Sequence, residues 1–188
     1  MKIGGITGGI GSGKTMVCKI IEAMGYPVFY SDEVSFKLFF EPTVQRQIKG
    51  LLKLTVGDEE VLERAVVAQL VFENKDLLKG LNEIIHPIVF QEFNKWKDGI
   101  NTRLGFVESA LLVSSGMIDY TDFSVVVHCP EQLRIDRLMN QRQLSLTDIM
   151  KRMEAQKNIY SYTFDYSIIN DDIHPLIPQI QQLFTTYG

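Results

Sequence analysis

The residues Gly8-Gly9-Ile10-Gly11-Ser12-Gly13-Lys14-Thr15 form a complete G-x-x-x-x-G-K-[ST] sequence, and no other feature of the chain limits its fold as strongly. Glycines at these places permit a tight turn and let backbone N–H groups approach phosphate oxygens that a side chain would hold off. The apolar stretch around Ile3 and Ile6 suits a buried strand and Met16 to Met24 suits a helix, so the loop joins strand to helix as a phosphate loop must. In that setting Gly9, Ile10, Gly11, Ser12, Gly13, Lys14, Thr15 and Met16 are expected to surround the phosphates of a nucleoside triphosphate. Lys14 would reach the β and γ phosphates, the Thr15 hydroxyl would hold Mg2+, and the helix N-terminus would add its positive potential. Two rival readings fail on spacing. G-x-G-x-x-G cannot be laid on the loop, because Lys14 stands three after Gly11 and Met16 three after Gly13. Asn74-Lys75-Asp76 lacks the spacer of a guanine-reading N-K-x-D and reads as the solvated start of a helix.

At 188 residues with 45% hydrophobic content the chain suits one domain with insertions. A net charge of −4 and a pI near 5.4 argue against nucleic acid as a partner, while leaving room for a local basic pocket. Glycines interrupt the first apolar stretch and no apolar run is long enough to span a bilayer, so the expectation is a cytoplasmic protein with no membrane partner and no signal peptide. Cys18 and Cys129 read as reduced core thiols rather than a disulfide, and His86, His128 and His174 lack metal-ligand spacing. A monomer or a weak homo-oligomer is expected.

Further along, Tyr26 to Tyr30 reads as a second strand, and Ser31-Asp32 as the cap of a helix toward Phe40. From Val44 to about Asn101 the pattern is helical throughout, with Pro87 expected to break it at His86 and make His86-Pro87 a joint between helices. Leu104 to Glu108 and Phe123 to His128 are the clearest buried strands and are expected in the interior of the sheet. A helix from Pro130 to about Gln141, a Ser145-capped helix, a strand from Tyr166 to Ile169 and an amphipathic helix from Pro175 to Phe184 follow. This alternation predicts an α/β fold with about five parallel strands flanked by helices, whose ligands gather beyond the strands' carboxyl ends. Asp32 and Glu108 are the acids expected there.

Phosphate loop, strand-end aspartate, helical insert and late arginine-bearing hairpin come in the order of the small P-loop kinases. Local motifs sharpen this. The stretches Ile6 to Lys14, Ser31-Asp32, Leu62-Glu63-Arg64 with Leu70-Val71-Phe72, and Leu81-Asn82 with His86-Pro87-Ile88 resemble the dephospho-CoA kinase family. So do Leu111-Leu112, Arg137-Leu138-Met139, Arg152 with Ala155-Gln156, and Asp165-Tyr166, and the resemblance runs from residue 3 to about 170. It implies a phosphotransferase with an alcohol acceptor, carrying the γ-phosphoryl of ATP to the 3′-hydroxyl of dephospho-CoA, with Mg2+. It also implies a core of about residues 1–31, 102–138 and 163–188, a substrate-binding helical insert of about 32–101, and a helical lid of about 139–162. Asp32 would orient and deprotonate the hydroxyl or hold Mg2+ through water; its plainer reading is a helix cap. Arg64, His86 and Glu108 would serve the acceptor, although Arg64 also reads as a solvated charge and His86 as part of the joint. Arg137 and Arg142 would supply lid charge.

Some positions depart from the family pattern. Tyr30 stands where a first aspartate of D-x-D is usual, Ala110 replaces a proline and Ser114 a glutamate, and Gln141 takes the usual lid arginine's place with Arg142 one residue later. Another small-molecule kinase, acting on a nucleoside monophosphate, shikimate or a sugar acid, would share the loop but not Leu81-Asn82 with His86-Pro87. A weakly catalytic ATP-binding regulatory module would keep the loop without turnover.

Overall fold

The computed structural model describes residues 1–54, 57, 60–72, 74–142 and 145–188, apart from the side chains of residues 72, 141 and 142. These residues fall into two compact units, Met1–Tyr30 with Ile100–Gly188, and Ser31–Gly99.

The first unit is built on the parallel strands β1 (Lys2–Thr7), β2 (Val28–Tyr30), β3 (Leu104–Glu108), β4 (Phe123–His128) and β5 (Tyr166–Ile169), in the order β2-β3-β1-β4-β5. The expected α/β fold with five parallel strands is thus the one found. β1 is central, with Ile6 opposite Glu108 of β3 on one side and Val125 of β4 on the other. Ile3, Ile6, Leu104, Phe106, Val125 and Val127 have no exposed surface, since helices cover both faces and leave no place for alternation with polar residues. Each such side chain contributes about 1.5–3 kcal/mol by leaving water. One layer is α1 (Lys14–Ala23) with α8 (Leu176–Tyr187), which bury Val17, Cys18, Ile21, Ile180 and Leu183 in the same core. Tyr187 at the end of α8 stacks on Phe123 at 4.0 Å.

β2 starts later than the sequence suggests. Gly25 takes a left-handed turn at φ 90°, and Pro27 has no N–H to donate to a ladder, so pairing begins only at Val28. The chain leaves β1 toward β2 and leaves β4 toward β5, on opposite sides, which makes the carboxyl ends of these adjacent strands the switch point where ligands bind in such sheets.

In the second unit run α2 (Ser31–Phe39), α3 (Pro42–Leu51), α4 (Arg64–Phe72) and α5 (Lys75–Asp98). The described residues between Leu51 and Arg64 therefore interrupt the helical pattern expected from Val44 onward. Gln45, almost fully buried, clips that segment: its Nε2 donates to the Phe39 carbonyl and its Oε1 accepts from the Leu62 N–H, both at 2.7 Å. Asn74 caps α5 by accepting from the N–H groups of Asp76 and Leu77, so the triplet is a helix start.

The expected break at His86-Pro87 does not occur; α5 runs through it without interruption. Proline inside a helix costs about 3 kcal/mol through a lost hydrogen bond and crowding. Ile85, Val89 and Phe93 are buried at helical spacing on either side of it, while Pro87 itself is exposed. One packed stripe spanning the proline holds both halves in line, with the ring toward solvent where a helix most easily bends.

Asp165 ties the entry of β5 to β4, its Oδ2 accepting from the Ser124 hydroxyl at 2.6 Å and backbone N–H at 2.8 Å. Those bonds, the hydroxyl's first, hold the carboxyl below its ordinary range. A lowered folded-state pKa contributes stability that is full above the unfolded value, about 3.9, and fades as pH falls through the folded one. Asp165→Asn is expected to lose about 1 kcal/mol at neutral pH, the low end for a charged hydrogen bond because the residue is exposed. Denaturant unfolding should show the gap to the parent protein narrowing below about pH 3.9; an equal loss at both pH values would contradict the assignment.

Candidate active site

The phosphate loop turns on two left-handed glycines, Gly11 at φ 77° and Gly13 at φ 90°, which a side chain would strain. At Gly13 a Cβ would also collide with the Asn170 amide, whose Nδ2 donates to the Ser12 carbonyl at 2.8 Å. Ser12 N–H donates back to the Gly9 carbonyl at 3.1 Å, and Met16 and Val17 N–H to Gly13, so the turn passes directly into α1. That helix has no acidic residue in its first turn and no side-chain cap, which leaves its positive end open to an anion. Thr15 and Met16 are exposed there. The Lys14 ammonium rests on the loop itself, donating to the Gly8 carbonyl at 2.8 Å and the Gly9 carbonyl at 3.4 Å.

Over the loop lies the hairpin of α6 (Glu131–Arg142) and α7 (Leu146–Ala155), followed by a 3₁₀ segment, Lys157–Ser161. Leu138, Ile149 and Met153 make its core, with Ile135 and the loop's own Ile10 packed against it. Two side chains from this region take loop N–H groups: Gln156 Oε1 accepts from Ile10 at 2.7 Å and the Tyr160 hydroxyl from Gly9 at 3.1 Å. Arg134, nearly buried on α6, sets its guanidinium against Gly9 and 5.7 Å from the centre of the Tyr160 ring. Sequence reasoning passed over Arg134 and Tyr160. The only available signal for Arg134 is its i,i+3 spacing from Arg137, which puts both on one side of α6.

Arg137 itself is held by the loop after β5, its guanidinium donating to Asn170 O and Oδ1 at 3.4 Å, to Cys129 Sγ at 3.3 Å, and to Asp172 in an ion pair. Arg142 is the last residue of α6, and its side chain lies outside the described residues. Glu108 closes β3, opposite Ile6 and Tyr30, and is buried at the carboxyl edge from which the loop departs. Beside that edge a cavity of about 190 Å³ is lined by Thr7, Ala110, Leu111, Ser114, Gln156 and Tyr162, among others. The Thr7 and Ser12 hydroxyls are buried without a partner among the described residues, as groups awaiting a ligand would be. Tyr30 donates to Glu22 at 2.9 Å, and burial together with that bond pushes its phenol pKa up.

In the second unit, Asp32 is the second residue of α2 and exposed. Arg64 opens α4 with its guanidinium 5.0 Å from the centre of the Phe36 ring. His86, half-buried in α5, has its pKa lowered by burial and is neutral at physiological pH. Both cysteines are free and buried. No group of three or more His, Cys, Asp or Glu among the described residues could hold a metal. What the loop offers is a hydroxyl, the kind of hard oxygen donor that suits Mg2+ carried on nucleotide phosphates. Among the described residues no helix is long and apolar enough to cross a membrane.

A sequence profile of the family described as dephospho-CoA kinase matches residues 2–161. A dephospho-CoA kinase from Porphyromonas gingivalis is 34% identical over 186 residues, covering 97% of this chain and 92% of the relative. One from Bacteroides fragilis is 37% identical over 185 residues, covering 95% and 89%. The crystal structure of TT1252 from Thermus thermophilus, 24% identical, superposes with a TM-score of 0.87 over 98% of this chain and 96% of its own, which speaks to the fold alone. With a complete phosphate loop at the switch point and relatives matched over nearly their full length, the chain belongs to the dephospho-CoA kinase family and phosphorylates dephospho-CoA to coenzyme A.

Proposed function

We propose that the chain is a cytoplasmic enzyme in which the phosphate loop, Gly9 to Met16, holds ATP with Mg2+ and the Ser31–Gly99 unit is the acceptor-binding insert. The observation that carries this reading is the uncapped N-terminus of α1 behind a loop with two left-handed glycines, an anion site waiting for polyphosphate. In the reaction the acceptor's 3′-hydroxyl oxygen bonds to the γ-phosphorus, the bond from that phosphorus to the β–γ bridging oxygen breaks, and ADP leaves. Asp32 orients the hydroxyl and takes its proton. Lys14 and the loop N–H groups neutralise the charge that builds on the phosphoryl oxygens. Thr15 would hold Mg2+, with Asp32 as a further oxygen donor through water; when bound, the ion offsets charge on the β and γ oxygens. Glu108, Arg64 and His86 serve the acceptor, and α6 with α7 forms the lid over the nucleotide.

The test is ADP formation by the purified chain with dephospho-CoA against nucleoside monophosphates and shikimate. Turnover confined to dephospho-CoA supports the acceptor assignment; a faster rate with any other acceptor overturns it.

Arg142 is the only arginine between residues 138 and 151 and is assigned the lid charge. Arg142→Ala is expected to lower turnover by about one to three orders of magnitude, the weak end of an arginine finger's contribution. A neutral Arg142→Ala beside a severe Arg137→Ala would move that charge to the interior of α6.

A further inference from the structure

We propose that Arg134 is a further phosphate-binding residue, gripping the β/γ end of the nucleotide from α6 while Lys14 does so from the loop. This rests on the reading of the loop as an ATP site and adds to it a cation outside the loop motif. Arg134 is only 8% exposed, its Nε is buried without a hydrogen-bond partner, and no carboxylate among the described residues pairs with it. A buried guanidinium in that condition is costly, and the Tyr160 ring at 5.7 Å offsets only part of that cost. An anion is the missing partner.

The place of the guanidinium says which anion. Its Nη1 occupies the space where a Cβ of residue 9 would stand, so Gly9 is what lets it reach the loop backbone. The Lys14 ammonium lies on the carbonyls of Gly8 and of the same Gly9. Two cations therefore converge on one residue, at the end of the loop whose lysine serves the β and γ phosphates. Like charges placed so repel unless a phosphate lies between them. The fold leads to the same point: α6 follows β4, whose carboxyl end flanks β1 at the switch point of the sheet. Tyr160, under the guanidinium, accepts the Gly9 N–H; a phosphate oxygen is the stronger acceptor and would take that N–H, leaving Arg134 facing it.

Arg134→Met keeps an apolar stem against Tyr160 and removes the charge; Arg134→Lys keeps the charge and removes the planar fork. With the full-length chain, turnover on ATP and dephospho-CoA, calorimetric affinities for ATP and ADP, and melting temperature are measured for both variants and the parent. The expected result for Arg134→Met is a fall in turnover of about 10²- to 10³-fold, and a loss of ATP affinity larger than the loss of ADP affinity. Arg134→Lys should fall between it and the parent, so it also reads the role if the methionine variant does not fold. Turnover of both variants within twofold of the parent, with only a lowered melting temperature, would make Arg134 a prop for Tyr160 and overturn the proposal. A parent protein that forms no ADP with dephospho-CoA overturns the underlying reading instead.

Discussion

Lys14→Ala is expected to abolish measurable phosphoryl transfer while leaving the fold intact. The ammonium donates to the Gly8 and Gly9 carbonyls, both within the loop itself. Each is worth about 1 kcal/mol net, as an ordinary hydrogen bond is. The loop backbone is held independently by Gly11 and Gly13, by the Ser12 bond to Gly9, and by Asn170 on the Ser12 carbonyl. In the transition state the same ammonium faces the phosphoryl oxygens, where removing one such donor costs about 3–4 kcal/mol, and loss of ground-state ATP binding adds to that. Steady-state ADP release should fall by at least about 10³-fold, with the melting temperature within a few degrees of the parent. Turnover resembling the parent's would remove Lys14 from the mechanism, whereas a collapse of the melting temperature would show that the loop depends on it for folding.

The parts of this molecule that could be read from its sequence are those fixed by neighbours in the chain. β3, β4 and β5 are short branched or aromatic runs, and each begins and ends where the sequence places it. Asn74 and Ser145 cap the helices that follow them, because a capping side chain needs only the N–H groups two or three residues ahead. Pro87 shows where that locality ends. The propensity against proline is real, but burial of Ile85, Val89 and Phe93 along one stripe decides the matter, and a stripe is a property of the packed unit.

The surroundings of the phosphate loop were hidden for a related reason. Gln156 and Tyr160 meet Ile10 and Gly9 across separations of 146 and 151 residues, and nothing in either local sequence announces the pairing. Gly9 illustrates the point: the motif leaves its position open to any residue, and the structure shows its missing Cβ making room for Arg134. Arg137 is likewise legible as a cation on the proper helix. Its bonds to Asn170, Asp172 and Cys129, which fasten the loop after β5, depend on the β4–β5 pairing.

Asp32→Asn is the substitution expected to separate chemistry from architecture on the acceptor side. Asp32 stands two residues beyond β2, in the first turn of α2, and is exposed. Asparagine keeps its size, and loss of a carboxylate in the first turn of a helix costs only about 0.3–1 kcal/mol. If the carboxylate orients the attacking hydroxyl and accepts its proton, turnover should drop by ~10² to 10⁴ with ATP affinity and melting temperature nearly unchanged. Rescue by Tyr30 is closed off, because its pKa is raised above the ordinary phenol value and its proton is donated to Glu22. Near-normal turnover of Asp32→Asn on dephospho-CoA would therefore transfer the role of base to Glu108, the buried carboxylate that closes β3 at the edge where the phosphate loop begins.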